Sequence, residues 1–348
     1  MIDRELGSYR IVRKLGVGGM ATVYLAEHVL IGRKAAIKVL MPHVSARAEL
    51  VKRFFDEAKA STAIQHPGIV QIFDFGYYAD ERAYLTMEHL SGESLGARLR
   101  RLGTLEVNDA LRVARQCASV LDAAHRLGIV HRDIKPDNIF LIPDPDIEGG
   151  ERVKLLDFGV AKLLNRSKVR ASVTTRVGSR LGTPAYMAPE QCRNSAEIDH
   201  RADIYSLGCV MFHMISGKPP FMANNPSEIM ARQLCSPPPV LRAAHGGWVP
   251  ERVAALVERS LRKTVEQRPA SMAALCRELS LLNSSALMVE SAPCSRKRAV
   301  PHLRTKKVPW PPRTERSAAS CLGSPVTDSA VGHDKAGFAT TLGRAATM

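Results

Sequence analysis

The chain has 348 residues, 45% of them hydrophobic and 24% charged, with 49 Lys+Arg against 34 Asp+Glu and a formal net charge of +15. That much apolar material can build a sizeable core, which excludes a wholly disordered chain. No stretch approaches the ~18 uninterrupted apolar residues of a membrane span, and the charged start Met1-Ile2-Asp3-Arg4-Glu5 lacks the apolar centre of a signal peptide.

The seven cysteines (Cys117, Cys192, Cys209, Cys235, Cys276, Cys294 and Cys321) are scattered and contain no CxxC pair. That usage suits reduced thiols and a cytoplasmic location, not a disulfide framework or a zinc site. The positive charge is concentrated. Residues 282–348 carry ten basic and four acidic side chains, residues 160–187 carry six basic and none acidic, and the rest of the chain is left with only +3. A nucleic-acid-binding protein is one reading of such a charge, yet the tail clusters lack aromatic interleaving beyond Trp310.

The elements alternate early and become helical later. Residues 9–15 read as a strand, followed by the glycine cluster Gly16-Val17-Gly18-Gly19, a second strand over 21–26 and a third over 34–40. Leu50, Phe54, Ala58 and Ser61 fall at helical spacing, which predicts a helix over 46–64. Residues 71–75 and 83–88 are expected to be an antiparallel pair. Helices are expected over about 94–101, 106–127, 201–216, 226–234 and 250–262, with a small second β region at 139–142 and 152–156. After 281 sustained periodicity ends, and a segment of that composition does not bury enough apolar area to offset its ordering entropy, so 282–348 is expected to be disordered.

Glycines between two strands let backbone N–H groups approach phosphate oxygens without a Cβ in the way. Because strand, not helix, follows the cluster, a dinucleotide-binding fingerprint is excluded. The absence of any GxxxxGK[ST] removes the P-loop enzymes. Lys38 ends the apolar run Ala35-Ala36-Ile37, and a carboxylate on the next helix could pair with it. Glu57 is the candidate, though Asp56 is as eligible by composition.

The most informative fragment is His131-Arg132-Asp133-Ile134-Lys135-Pro136-Asp137-Asn138, followed nineteen residues on by Asp157-Phe158-Gly159. An aspartate to accept a hydroxyl proton, a lysine for developing phosphate charge, and an asparagine and an aspartate for Mg²⁺ are the parts phosphoryl transfer needs.

In this ordered combination the sequence resembles the eukaryotic-like serine/threonine protein kinases of bacteria. Further motifs agree: Gly182-Thr183-Pro184-Ala185-Tyr186-Met187-Ala188-Pro189-Glu190, Asp203-Ile204-Tyr205-Ser206-Leu207-Gly208, and Gln267-Arg268-Pro269. The resemblance implies an α+β, bilobal fold with a small antiparallel β-rich lobe, one key helix, and a larger helical lobe. On that basis residues 1–8 form an N-terminal extension, 9–281 the catalytic domain (lobes 9–90 and 91–281), and 282–348 the basic tail.

The resemblance also implies roles. Leu15, Gly16, Val17, Gly18, Gly19, Met20 and Ala21 would cover ATP, with Val23, Ala36 and Phe140 as adenine walls. Met87, Glu88 and Leu90 would form the hinge, Met87 guarding the back pocket. Lys38, paired with Glu57, would hold the α- and β-phosphates, Asn138 and Asp157 would bind Mg²⁺ (or Mn²⁺), and Asp133 and Lys135 would act on the hydroxyl and the transferring group. Glu190 should pair with Arg268, and Asp203 should brace the backbone at His131 and Arg132. Ala21 stands where a third glycine is common, which qualifies loop mobility.

Lys135 and Thr183 indicate Ser/Thr specificity, with Thr183 at the substrate-docking site. Thr174 and Thr175, in the basic segment upstream, are the candidate phosphoacceptors, since phosphate would convert repulsion from Arg132 into pairing. The implied partners are protein substrates and ATP, and self-association for trans-autophosphorylation is a further one. No membrane span or sensor domain is expected after the catalytic region, and nucleic acid is disfavoured as a partner. An inactive kinase-fold scaffold is the main alternative, although Lys38, Asp133 and Asp157 are all present.

Overall fold

The computed structural model describes residues 1–78, 82–157, 184–193, 198–243 and 248–290, with side chains described to Leu282. The chain divides into Met1–Pro293, which contains everything described below, and Cys294–Met348, which lies outside the described residues.

The small lobe is a six-stranded antiparallel sheet in the order β1-β2-β3-β4-β6-β5. Its strands are β1 (Glu5–Leu6), β2 (Tyr9–Val17), β3 (Ala21–His28), β4 (Lys34–Leu40), β5 (Ile72–Tyr78) and β6 (Arg82–Glu88). Alternation along the strands feeds two apolar faces. Leu6, Ile11, Ala26, Ile37, Val39 and Tyr84 pack on one side. On the other, Ala21, Leu40, Ala83 and Leu85 pack against Val51, Phe54 and Ala58 of the helix. That helix, α2 (Ala48–Ala63), follows the single turn α1 (Pro42–Ser45), so the one helix expected over 46–64 starts later and has a short neighbour. Residues 1–8 are more than an extension: β1 pairs with β2 and buries Leu6 in the sheet core.

The large lobe contains β7 (Glu93–Ser94), β8 (Ile139–Pro143) and β9 (Glu151–Leu155) as one small sheet. Its helices are α3 (Leu95–Leu102), α4 (Val107–His125), α5 (Pro189–Cys192), α6 (Arg201–Ser216), α7 (Pro226–Cys235), α8 (Glu251–Ser260) and α9 (Met272–Glu290). Ser94 caps α3 by accepting from the Ala97 N–H at 3.1 Å. Helix α6 is apolar around nearly its whole circumference, as a helix enclosed by others must be. It ends at Gly217, whose φ of +80° needs a residue without Cβ. Helix α9 has little amphipathic signal in sequence, and its backbone runs to Glu290, past the boundary expected at 281.

The lobes join through the loop after α2. Gly68 O accepts from Leu155 N–H at 2.8 Å, and a Cβ on Gly68 would lie 2.3 Å from Val120 Cγ2. Only glycine permits that approach of the small-lobe loop to α4.

Candidate active site

Between the lobes lies a cavity of about 570 Å³, a size suited to a nucleotide. Leu15, Gly16, Val23, Ala36, Met87, Glu88, Leu90 and Phe140 line it, as do Lys38, Glu57 and Asp157. Among the described residues the lining does not include Val17, Gly18, Gly19, Met20 or Ala21. Gly18, Gly19 and Met20 form the turn between β2 and β3, closed by Gly18 N–H donating to Ala21 O at 2.8 Å. The Ala21 side chain is spent in the small-lobe core beside Leu40, so alanine here serves packing.

Lys38 sits on β4 opposite Val23 and projects into the cavity. Its ammonium donates to Asp157 Oδ1 at 2.5 Å. Burial pulls its pKa down, but the charge and hydrogen bond of Asp157, with the charge of Glu57, outweigh this and leave it raised, so Lys38 is a cation at neutral pH. The hydrogen bond thus falls on the aspartate, while Glu57 lines the same cavity and adds to its field.

Asp133 accepts from Lys135 Nζ at 2.8 Å and from Asn138 Nδ2 at 3.1 Å, both on Oδ2. Asn138 Nδ2 also donates to Asp133 O at 2.9 Å. Its amide nitrogen is therefore committed to Asp133, and oxygen is what Asn138 offers a ligand. The loop bearing these residues is tied to the strand end that carries Asp157. Leu156 N–H donates to Asn138 O at 2.9 Å, and His131 Nε2 donates to Leu156 O at 3.0 Å. Burial, against the pull of Asp203 and Asp133, holds the His131 pKa below its ordinary value, so the ring is neutral, with Nδ1 accepting from Asp133 N–H at 3.3 Å.

The loop is braced from beneath. Asp203, on α6 and fully buried, accepts from His131 N–H and Arg132 N–H, each at 2.8 Å, and from His125 Nε2 at 2.8 Å. Burial alone would raise its pKa, but these donors lower it and keep it ionised. Arg132 and Asp157 both adopt left-handed φ, +64° and +48°, a strained state for non-glycine residues that persists where surroundings impose it. Glu190 and Arg268 form the expected pair, bidentate at 2.7 and 2.9 Å.

Several residues that position the site carry no signal in the sequence. Lys154, on β9, donates to Ile69 O at 3.1 Å and to Glu88 Oε1 at 2.5 Å, and Gln71 N–H also donates to Glu88 Oε1 at 2.8 Å. The Glu88 carboxylate is thereby held by two donors and ties the end of β6 to β9 and the interlobe loop. Lys154 reads in sequence as an ordinary strand lysine; only the pairing of β9 against the interlobe loop reveals it. Gln191 Nε2 donates to Arg132 O at 2.8 Å, linking α5 to the loop of Asp133. Thr174, Thr175 and Thr183 lie outside the described residues.

Lys38 and Asp157 thus meet in a nucleotide-sized cleft, and the hydrogen-bonded Asp133–Lys135–Asn138 network is tied to the strand end that carries Asp157. The chain belongs to the protein kinase domain family, whose model matches residues 9–279. It is 39% identical over 349 residues to the serine/threonine-protein kinase Pkn1 of Myxococcus xanthus, covering 99% of this chain and 48% of that protein. It is 35% identical to the serine/threonine-protein kinase PknA of Mycobacterium tuberculosis over 266 residues, 75% of this chain and 58% of that one. The chain thus spans about half the length of these relatives. Among solved structures, the PknI kinase domain of Mycobacterium tuberculosis superposes with a TM-score of 0.60 at 26% identity, covering 82% of this chain and 99% of that domain. The fold is accordingly the bilobal, α+β protein kinase fold. No helix among the described residues is long and apolar enough to cross a membrane.

Proposed function

We propose that this chain is an ATP-dependent serine/threonine protein kinase that transfers the γ-phosphoryl group to hydroxyls of protein substrates, its own activation segment among them. The observation that carries this reading is the coupling of the Lys38–Asp157 pair in the cleft to the Asp133–Lys135–Asn138 network through the Leu156 hydrogen bonds. Lys38 and Lys135 each neutralise a carboxylate in this arrangement, and the triphosphate is the anion that draws on the same two cations. Asp133, held by Asn138 and the backbone, is placed to orient a hydroxyl and take its proton, and Lys135 stays beside it to stabilise the transferring group.

The donor set suits a hard cation: Asn138 presents oxygen and Asp157 a carboxylate. That pattern fits Mg²⁺ (or Mn²⁺), which takes one or two protein oxygens and completes its shell with phosphate and water. When bound, the cation supplies charge neutralisation on the phosphate oxygens.

Autophosphorylation at Thr174 or Thr175, in trans between two copies, is the regulatory reading of the basic segment. A cytoplasmic setting agrees with the free thiols Cys117, Cys192, Cys209, Cys235 and Cys276. The test is transfer of labelled γ-phosphate from Mg-ATP to the chain and to casein. Asp133→Asn should reduce transfer at least ~10²-fold with ATP affinity unchanged. Transfer that survives in Asp133→Asn would refute the assignment, and its absence from the wild type would favour a scaffold.

A further inference from the structure

Helix α7 opens with Asn225, whose side chain accepts from Glu228 N–H at 2.8 Å, and with Pro226 in its first turn. Its buried residues are Ile229 and Gln233, one turn apart on the same face. A glutamine at the apolar stripe of a helix costs stability unless its amide is satisfied. Here it is satisfied completely. Gln233 Nε2 donates to Ala185 O at 2.9 Å and to Pro184 O at 3.2 Å, and Gln233 Oε1 accepts from Tyr205 Oη at 2.5 Å. Tyr205 Oη in turn accepts from Lys263 Nζ at 2.8 Å. The Lys263 ammonium sits 4.0 Å from the Phe221 ring centroid, and the Arg268 guanidinium lies 4.9 Å from that of Tyr205. A single directed chain of hydrogen bonds therefore runs from the half-buried Lys263 ammonium to two consecutive carbonyls of the turn Pro184–Tyr186.

That turn follows Thr183 directly and leads to the Ala188–Gln191 stretch, where Gln191 holds Arg132 O, one residue before Asp133. In a trans peptide the C=O and the following N–H point in opposite directions. Drawing the carbonyls of Pro184 and Ala185 inward to Gln233 turns the N–H groups of Ala185 and Tyr186 to the other side of the turn. Apolar packing of Ala185 and Tyr186 fixes the depth of the segment, and the amide of Gln233 fixes the rotation of its peptide planes.

We infer that Gln233, relayed by Tyr205 and Lys263, is a positioning residue for protein-substrate docking, setting the orientation of the Pro184–Tyr186 turn against which the acceptor polypeptide lies. This rests on the protein kinase reading above. It predicts that the network governs the acceptor and not the nucleotide, because none of its members lines the cleft.

The test uses the full chain with casein as acceptor, and transfer to water (ATP hydrolysis) as a reaction that needs the cleft but no docking surface. Gln233→Met preserves length and apolar packing while removing both carbonyl bonds. It should raise KM for casein about tenfold and leave KM for ATP and the rate of ATP hydrolysis within twofold. Tyr205→Phe keeps the ring under Lys263 and Arg268 and leaves the Gln233 amide on its carbonyls, so its rise in casein KM should be smaller. If Gln233→Met is too poorly folded to assay, Tyr205→Phe carries the test alone, with a two- to threefold rise expected.

An unchanged casein KM in both variants would overturn the inference. So would casein transfer and ATP hydrolysis falling together, which marks a merely structural role. Wild-type protein that neither hydrolyses ATP nor phosphorylates casein would instead refute the kinase reading itself.

Discussion

Asp203→Asn separates the bracing of the catalytic loop from its chemistry. The carboxylate makes three hydrogen bonds at 2.8 Å: Oδ1 to Arg132 N–H, and Oδ2 to His131 N–H and His125 Nε2. Asparagine has one acceptor oxygen. In its better orientation it keeps His131 and His125 and sets its NH₂ against the Arg132 N–H, exchanging a bond for a donor–donor contact. Losing a hydrogen bond to a charged acceptor costs about 1.5–3 kcal/mol, and weakening the other two adds roughly 1–2 kcal/mol. The expected loss of about 3–5 kcal/mol is a large part of a domain's stability, yet it leaves a folded population to assay.

The effect on rate follows from Arg132, whose φ of +64° is imposed from below. Freed of its amide bond, that residue relaxes and carries Asp133 with it, and a displacement near 1 Å costs about 10²-fold in kcat. Urea unfolding gives the first quantity and steady-state transfer to casein the second, with KM for ATP little changed. Because the folded pKa of Asp203 is depressed, its contribution is complete above the ordinary aspartate range and is lost as pH falls below it. The mutant should therefore show a smaller acid-side decline than wild type. A urea midpoint equal to wild type with kcat within twofold would refute the bracing argument.

Other expectations follow from single contacts. His213 accepts from Tyr186 Oη at 2.7 Å, and burial depresses its pKa to about 4. The unfolded chain binds a proton that the folded chain refuses between pH 6.5 and 4, so stability should fall by up to roughly 3 kcal/mol across that window and His213→Gln should remove most of the slope. Lys154→Met strands the Glu88 carboxylate and Ile69 O, and should cost about 3 kcal/mol. Lys154→Met with Glu88→Gln should recover part of that loss, which a double-mutant cycle in urea measures. Gly68→Ala places a methyl 2.3 Å from Val120 Cγ2 and 3.0 Å from Val153 O; a melting study should show a loss of about 1–3 kcal/mol as loop and helix separate.

The residues of the His131–Asn138 loop were legible as a group because they fall within eight positions, and the structure joins Asp133, Lys135 and Asn138 in one hydrogen-bonded network. Helix α2 was legible from period, since the Phe54–Ala58 spacing reflects a face that is in fact buried, while β6 was legible as an apolar run because Ala83, Tyr84 and Leu85 feed both faces of the sheet. Helix α9 escaped because its apolar positions are spread around it, and β1 because two residues have no period. The hydrogen-bond partner of Lys38 was not legible: the sequence offered Glu57 or Asp56 on the next helix, whereas the bond runs to Asp157, 119 residues on, which local sequence does not bring near. Ala21 was legible as the first residue of a strand but not as a core residue, which the Ala21–Leu40 register makes it.

What sequence conceals most completely is the buried polar set. His131, Asn138, Lys154, Glu190, Asp203, Gln233 and Arg268 are all nine-tenths or more buried, and composition alone would place nearly every one at the surface. Each spends its hydrogen bonds on a loop: Asp203 on the catalytic loop, Lys154 on the interlobe and hinge segments, Gln233 on the turn after Thr183, and Arg268 on Arg262 O and Lys263 O as well as on Glu190. Apolar packing of α4, α6 and α9 makes a platform, but dispersion and burial are non-directional and do not orient a peptide plane. Orientation comes from donors and acceptors whose desolvation is repaid only in one geometry. Substitutions in the apolar set should therefore move stability with activity following it, whereas substitutions in the polar set should move one substrate's parameters out of proportion to stability. Gln233 should do so for the acceptor protein and Lys154 for ATP, because each holds a different loop of the same cleft.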